Sequence, residues 1–253
     1  MAEIQAERIG AIQVLRITNE AKRNAFTHAM TRQLGEALHR AEADPAVSCI
    51  ILTGAGNVAF SSGHDLREML DDPDSASEPD ANDPFIMPAR MTTPTIAAIN
   101  GFAYAVGFIL ALNCDLRVGA ENAVFAAPGA RIGLLPVAGQ ISRLPALLPP
   151  SVAYDLLVTC REMRMEEAAR LGFVAAVTPH GDSLAESMRI AERIVANSSH
   201  VIAEIKRGLE VRLAQGTEAA ARFEWTVSRT LRAGPHAEEG MRAFLEKRRP
   251  DFR

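Results

Sequence analysis

The chain opens with two short stretches, residues 4–8 and 12–17, in which apolar and polar positions alternate on either side of Gly10. That period of two, rich in isoleucine and valine, predicts a β-hairpin. From Thr27 the period lengthens. Met30, Leu34, Ala37, Leu38 and Ala41 recur three and four apart, Thr27 supplies a cap and Asp44-Pro45 a stop, so a helix is predicted. Residues 47–53 then read as a buried strand. Further along, 95–99 reads as a strand, 106–112 as a wholly apolar helix, and 115–119 and 123–127 as two more strands. Strand, strand, helix units repeat.

After Pro149-Pro150 the pattern becomes helical, over 151–159, 166–171, 182–196, 200–214, 217–232 and 236–248, with one strand at 174–178. Ile202, Ile205, Leu209 and Leu213 form an apolar stripe that must cover the core or meet another subunit. Residues 71–84 (DDPDSASEPDANDP) break every period. An acidic, proline-containing segment with so little to bury is expected to be a mobile surface loop.

With 253 residues, 48% of them hydrophobic, the chain can bury one substantial core. A net charge of −4 offers no overall attraction to nucleic acid or to an anionic membrane, so any anionic ligand must be held by local charge. Cys49, Cys114 and Cys160 show neither metal-ligand spacing nor a disulfide framework. A reducing cytoplasm is the simplest setting. The first residues alternate and carry acids early, unlike a signal peptide, and no apolar run approaches the length of a membrane span.

Gly54, Gly56 and Ala59 make a G-x-G-x-x-A pattern after a strand. A dinucleotide-binding turn must open a helix, whereas Phe60-Ser61-Ser62-Gly63 follows here. Ser61, Ser62, His64 and Asp65 include every residue type of a hydrolytic triad, but a triad converges from separate segments and no G-x-S-x-G elbow exists. A turn into a helix capped by Asp65 is the simpler reading. That turn carries chemistry of its own. Gly63 permits a tight bend, and the first N–H groups of the helix point outward unpaired. Residues 100–107, a strand end and a small-residue turn before an apolar helix, repeat the arrangement. Two such N–H sources facing each other would stabilise a thioester oxyanion or an enolate.

These residues resemble the crotonase (enoyl-CoA hydratase/isomerase) superfamily. Phe60 to Met69 looks like its F-x-x-G-x-D-[LI] signature, Asn100-Gly101 through Gly107 to Cys114-Asp115 its second, and Phe125 to Leu144, with Pro128, Gly133, Pro136 and Gly139, its third. Residues 22–26 and 244–248 match its beginning and its C-terminal helix. The resemblance covers nearly the whole chain. It implies an α/β fold: a spiral of ββα units over residues 1–195, followed by a helical trimerisation region over 196–253. A homotrimer or a dimer of trimers is expected. It also implies an acyl-CoA substrate, with coenzyme A as part of that substrate and no separate cofactor or metal. The oxyanion hole is expected from the N–H groups of His64 and Val106. Coenzyme A contacts are expected at Arg23, Ala25, Ser62, Gly63, His64, Asp65, Leu66, Val106, Gly107, Pro128 and Gly129, and at Phe244 and Lys247, the last two reaching a neighbouring subunit's ligand. Lys22 and Lys247 read equally well as solvated surface lysines.

The departures matter more. The two glutamates that hold and deliver water in the hydratases of this family align with Ile109 and Gly129, and neither residue can transfer a proton. Hydration is therefore expected to be slow, since positioned acid–base groups contribute about 10²- to 10⁴-fold. His64 and Glu68 are candidate replacements, although Glu68 reads better as structural. Arg131 is open between binding a carboxylate on the acyl group and a surface salt bridge. Two functions remain: an enzyme working through a stabilised enolate, and a catalytically silent acyl-CoA binding protein.

Overall fold

The computed structural model describes residues 2–71 and 83–252. Most of the 71–84 segment, residues 72–82, lies outside them. The hairpin forms as expected from β1 (Glu3–Ile9) and β2 (Ile12–Thr18), and α1 (His28–Ala43) follows, with the Thr27 hydroxyl accepting from the Met30 N–H at 3.2 Å. All five residues of the predicted stripe on α1 are buried. Burying such side chains contributes about 1.5–3 kcal/mol for each large one.

Next come β3 (Cys49–Gly54), β4 (Ala59–Ser61) and α2 (Leu66–Asp71), then α3 (Met87–Arg90). The unit repeats as β5 (Thr95–Ile99), β6 (Phe102–Tyr104) and α4 (Val106–Asn113), and again as β7 (Leu116–Ala120), β8 (Val124–Ala126) and a 3-10 turn, Pro128–Ile132. In each unit the first strand joins one sheet and the second joins another. The large sheet runs β1-β2-β3-β5-β7-β10 and the small one β4-β6-β8-β9, where β9 is Met163–Arg164 and β10 is Ala176–Thr178. Pairing is parallel except within the β1/β2 hairpin and between β8 and β9. This is the spiral of ββα turns expected of a crotonase fold.

The sequence pattern missed β4 and β6, which it read as turns. Three residues are too few to display a period of two, yet these strands set the spacing of the site. Strand β3 starts at Cys49 rather than 47, because the Val47 N–H closes a turn on Asp44 O.

Every residue of α4 is buried, as its unbroken apolar run requires. It fills the space between the sheets with Phe60, Phe108, Phe125 and Phe173. The other face of the large sheet is covered by Ile190 and Ala191 of α8 (Ser183–Val195), which comes after α5 (Leu144–Leu147), α6 (Pro150–Thr159) and α7 (Met165–Arg170).

The chain ends in α9 (Ser199–Gln215), α10 (Thr217–Arg232) and α11 (Pro235–Leu245). Lys206, only 7% exposed, fastens α9 to the core by donating to Pro88 O at 2.6 Å, Thr93 O at 3.0 Å and Asp115 Oδ2 at 2.8 Å. The stripe it interrupts stays open: Ile205 is 57% and Leu209 64% exposed.

Candidate active site

The segment after β2 is drawn onto the turn after β4 by a dense set of backbone bonds. Arg23 and Asn24 both adopt left-handed backbone conformations, and the buried Asn24 amide holds them there. Its Nδ2 donates to Ala55 O at 2.9 Å and Ala59 O at 2.8 Å, while Oδ1 accepts from the Asn19 N–H. Ser62 then donates through its N–H to Arg23 O and through its hydroxyl to Lys22 O. Lys22 Nζ pairs with the Asp65 carboxylate, which also accepts from the Arg67 N–H at 3.1 Å as the expected cap. The hydrogen bond from Lys22 holds the Asp65 carboxyl below the usual range. Arg23, Ala25, Ser62, Gly63, His64, Asp65 and Leu66 are thereby brought together.

Phe26 donates its N–H to Gly63 O at 2.8 Å and accepts the Asp65 N–H at 2.8 Å. In a trans peptide, C=O and N–H point in opposite directions. Because the Gly63 carbonyl faces Phe26, the His64 N–H of the same peptide faces away from it. The same logic fixes the second module. Ala105 donates its N–H to Ala126 O at 3.1 Å, and its carbonyl accepts from Ile109 N–H at 2.9 Å. The Val106 N–H therefore points out of the first turn of α4, where a helix leaves its donors unspent.

The two modules are in contact. Gly63 has φ +111°, and a Cβ there would stand 3.0 Å from Ala105 Cβ. At Gly107 a Cβ would meet Ser61 O at 2.6 Å, so glycine lets α4 approach β4. Ala105 adopts φ 48° and ψ −118° at this junction, a strained conformation.

Pro128 and Gly129 begin the 3-10 turn after β8, beside the Ala126 carbonyl that anchors Ala105. Ile109 is buried in the second turn of α4. Phe244 and Lys247 stand apart. Phe244 is 83% exposed, and among the described residues no hydrogen bond or ion pair ties either side chain to the cluster.

Few side chains here can move a proton. Glu68 Oε2 accepts the His28 backbone N–H at 2.7 Å, a structural role. A cavity of about 360 Å³ opens beside Pro128, but the Tyr104 hydroxyl in it donates to Glu162, and burial together with that carboxylate pushes the phenol up to about 12. Arg131 lines the same cavity and donates to Cys160 O at 3.2 Å. Burial raises the Cys49 and Cys114 thiols to about 12, so neither is a ready nucleophile. The His64 imidazole is different. It lies edge-on to Phe85, with centroids 5.2 Å apart, and burial, then His28, lower its pKa while Glu68 opposes them. Sequence reasoning missed His28 and Phe85, because only the Phe26–His64 bridge and the return of the chain at 83–90 bring them here.

A sequence profile described as Enoyl-CoA hydratase/isomerase matches residues 7–253. Enoyl-CoA hydratase EchA19 of Mycobacterium tuberculosis is 32% identical, over 97% of this chain and 94% of its own. Carnitinyl-CoA dehydratase of Salmonella typhi is 35% identical, with 94% of each chain covered. Among solved structures, an enoyl-CoA hydratase from Mycobacterium tuberculosis H37Rv superposes with a TM-score of 0.92 at 29% identity, over 99% of this chain and 98% of that one. One from Polaromonas sp. JS666 gives 0.91 at 30%, covering 99% and 100%. The profile match, the curated relatives and the spiral of ββα turns agree: the chain belongs to the enoyl-CoA hydratase/isomerase family of the crotonase superfamily, whose members act on acyl-CoA thioesters.

Proposed function

We propose that this chain binds the thioester carbonyl of an acyl-CoA between the N–H groups of His64 and Val106 and stabilises the enolate that forms there. The observation that carries the reading is the pair of outward-facing N–H groups on modules that touch at Gly63 and Ala105. Donors fixed before the reaction cost no reorganisation as charge develops. Arg23, Ala25, Ser62, Asp65 and Leu66 would line the coenzyme A approach, with Gly107, Pro128 and Gly129 around the acyl group. Phe244 and Lys247 would reach a neighbouring subunit's ligand. Coenzyme A enters as part of the substrate.

Ile109 and Gly129 stand where the resemblance expects the two water-handling glutamates, so ordinary hydration is proposed to be slow. The run at 60–66, FSSGHDL, is similar to enoyl-CoA hydratase domain-containing protein 3, and we propose a functional kinship on that likeness. We also propose a homotrimer or a dimer of trimers built on residues 196–253, supported by the exposed apolar side chains of α9 to α11, Trp225 and Phe244 among them. Three free, buried cysteines fit a reducing, cytoplasmic setting.

The second reading, a silent acyl-CoA binder, is favoured by the absence of a carboxylate at 109 and 129. Calorimetric titration with butyryl-CoA and turnover of a panel of saturated, 2-enoyl and 3-enoyl thioesters separate the two. Binding with turnover of at least one thioester is the expected result. Binding without any turnover supports the silent binder, and no binding contradicts both.

A further inference from the structure

We propose that the imidazole of His64 is the proton carrier of this site, taking a proton from the acyl Cα while the N–H of the same residue holds the thioester oxygen. The inference rests on the oxyanion reading above and assigns the base that reading lacks.

Position comes first. Only Cα and Cβ separate the ring from the nitrogen that would bind the carbonyl, which keeps the imidazole close to a thioester seated there. A histidine kept for structure usually spends its ring nitrogens on hydrogen bonds. Among the described residues, neither ring nitrogen of His64 is bonded to another protein group, although the ring is half-buried and wedged edge-on against Phe85. Phe85 is itself held edge-on to Phe26, at 5.0 Å. The ring is fixed and its lone pair is unspent.

Among the described residues, the other candidate acids and the phenol near the site already hold partners. Asp65 is committed to Lys22 and the Arg67 N–H, Glu68 to the His28 N–H, and Tyr104 to Glu162. Among the described residues, the titratable groups that act on the imidazole are His28 from α1 and Glu68 from α2, and Phe85 packs against its edge. Burial and His28 outweigh Glu68 and lower the ring's pKa, which favours the neutral form a base requires.

The step balances without another reagent. The Cα–H bond breaks, its proton passes to the free imidazole nitrogen, and its electron pair becomes an enolate whose charge rests on the thioester oxygen. Return of the proton to Cα gives exchange. On a 3-enoyl thioester, delivery to Cγ instead moves the double bond into conjugation, with no water consumed.

Butyryl-CoA incubated with the full chain in deuterium oxide tests this, because Cα exchange needs only a base and an oxyanion hole. The exchange, followed by proton NMR, is expected to show an acid limb with its inflection below the ordinary histidine value of about 6.5. His64→Gln, which keeps the backbone N–H, is expected to slow exchange by about 10²-fold or more and to abolish that limb, while butyryl-CoA affinity stays within about threefold. His64→Ala serves as a second variant should the first not fold. A parent that binds butyryl-CoA without exchanging it, or variants that exchange at the parent's rate with the same limb, would overturn the inference. A parent that does not bind butyryl-CoA overturns the oxyanion reading itself, and this inference with it.

Discussion

Gly63 and Ala105 meet so closely that a Cβ on Gly63 would stand 3.0 Å from the Cβ of Ala105. That contact brings together the two turns that carry the N–H groups on which the proposed chemistry depends. Gly63 also has φ +111°, a conformation that side-chain-bearing residues rarely adopt. Gly63→Ala is therefore expected to cost about 1–3 kcal/mol and to weaken butyryl-CoA binding. Urea denaturation and titration calorimetry on the same variant measure both, and a variant as stable as the parent would show that the junction tolerates a side chain.

The Asp65 carboxylate predicts a pH dependence. Its folded pKa is depressed, first by the hydrogen bond from Lys22, so the folded chain binds that proton more weakly than the unfolded chain does. The stabilisation is fully present above the unfolded carboxyl value of about 3.9 and is lost as pH falls through the lower folded value. Asp65→Asn should be less stable than the parent at pH 7, and the gap should narrow as the pH approaches 3. Urea midpoints across that range measure it, and a constant gap would contradict the assignment.

Lys206 makes three bonds in a buried setting, one of them to Asp115, whose Oδ2 also accepts the Thr95 N–H and hydroxyl. Removing one partner of a buried pair leaves the other charge uncompensated, at about 3–5 kcal/mol. Lys206→Met is expected to lose that much by chemical denaturation, and a loss under about 1 kcal/mol would mean that α9 docks by apolar contact alone.

The sequence made the long elements legible because α1, α4 and α8 to α11 each carry several turns of apolar or amphipathic pattern, and the hairpin alternates on both sides of Gly10. The short strands β4 and β6 escaped, though they bring Ser61 against Gly107 and Gly63 against Ala105. His64, Val106, Ile109 and Gly129 are named by the resemblance. His28 and Phe85 were not, since neither stands in a motif and both reach His64 only through tertiary folding. Gly129 shows a further limit. A left-handed backbone could have barred a side chain there, yet Gly129 is not among the positive-φ residues. The obstacle is Leu134 O, 2.7 Å from where a Cβ would stand.

That obstacle shapes the prediction for restored acids. Ile109→Glu places a carboxyl beside Phe108 and Leu110, where desolvation raises its pKa, and Gly129→Glu must shift the 129–134 turn. The pair should still raise crotonyl-CoA hydration at least about tenfold over the parent, part of the 10²- to 10⁴-fold that positioned groups contribute, with each single change doing less. Circular dichroism and butyryl-CoA binding establish that the double variant is folded and competent. A folded, binding double variant that hydrates no faster would mean that the pocket has diverged beyond its missing acids.

A crystal structure of the full chain with butyryl-CoA locates the thioester oxygen. It is expected within about 2.7–3.2 Å of both the His64 and the Val106 backbone nitrogens. Coenzyme A bound elsewhere, or a carbonyl turned away from both amides, would contradict the proposed oxyanion hole.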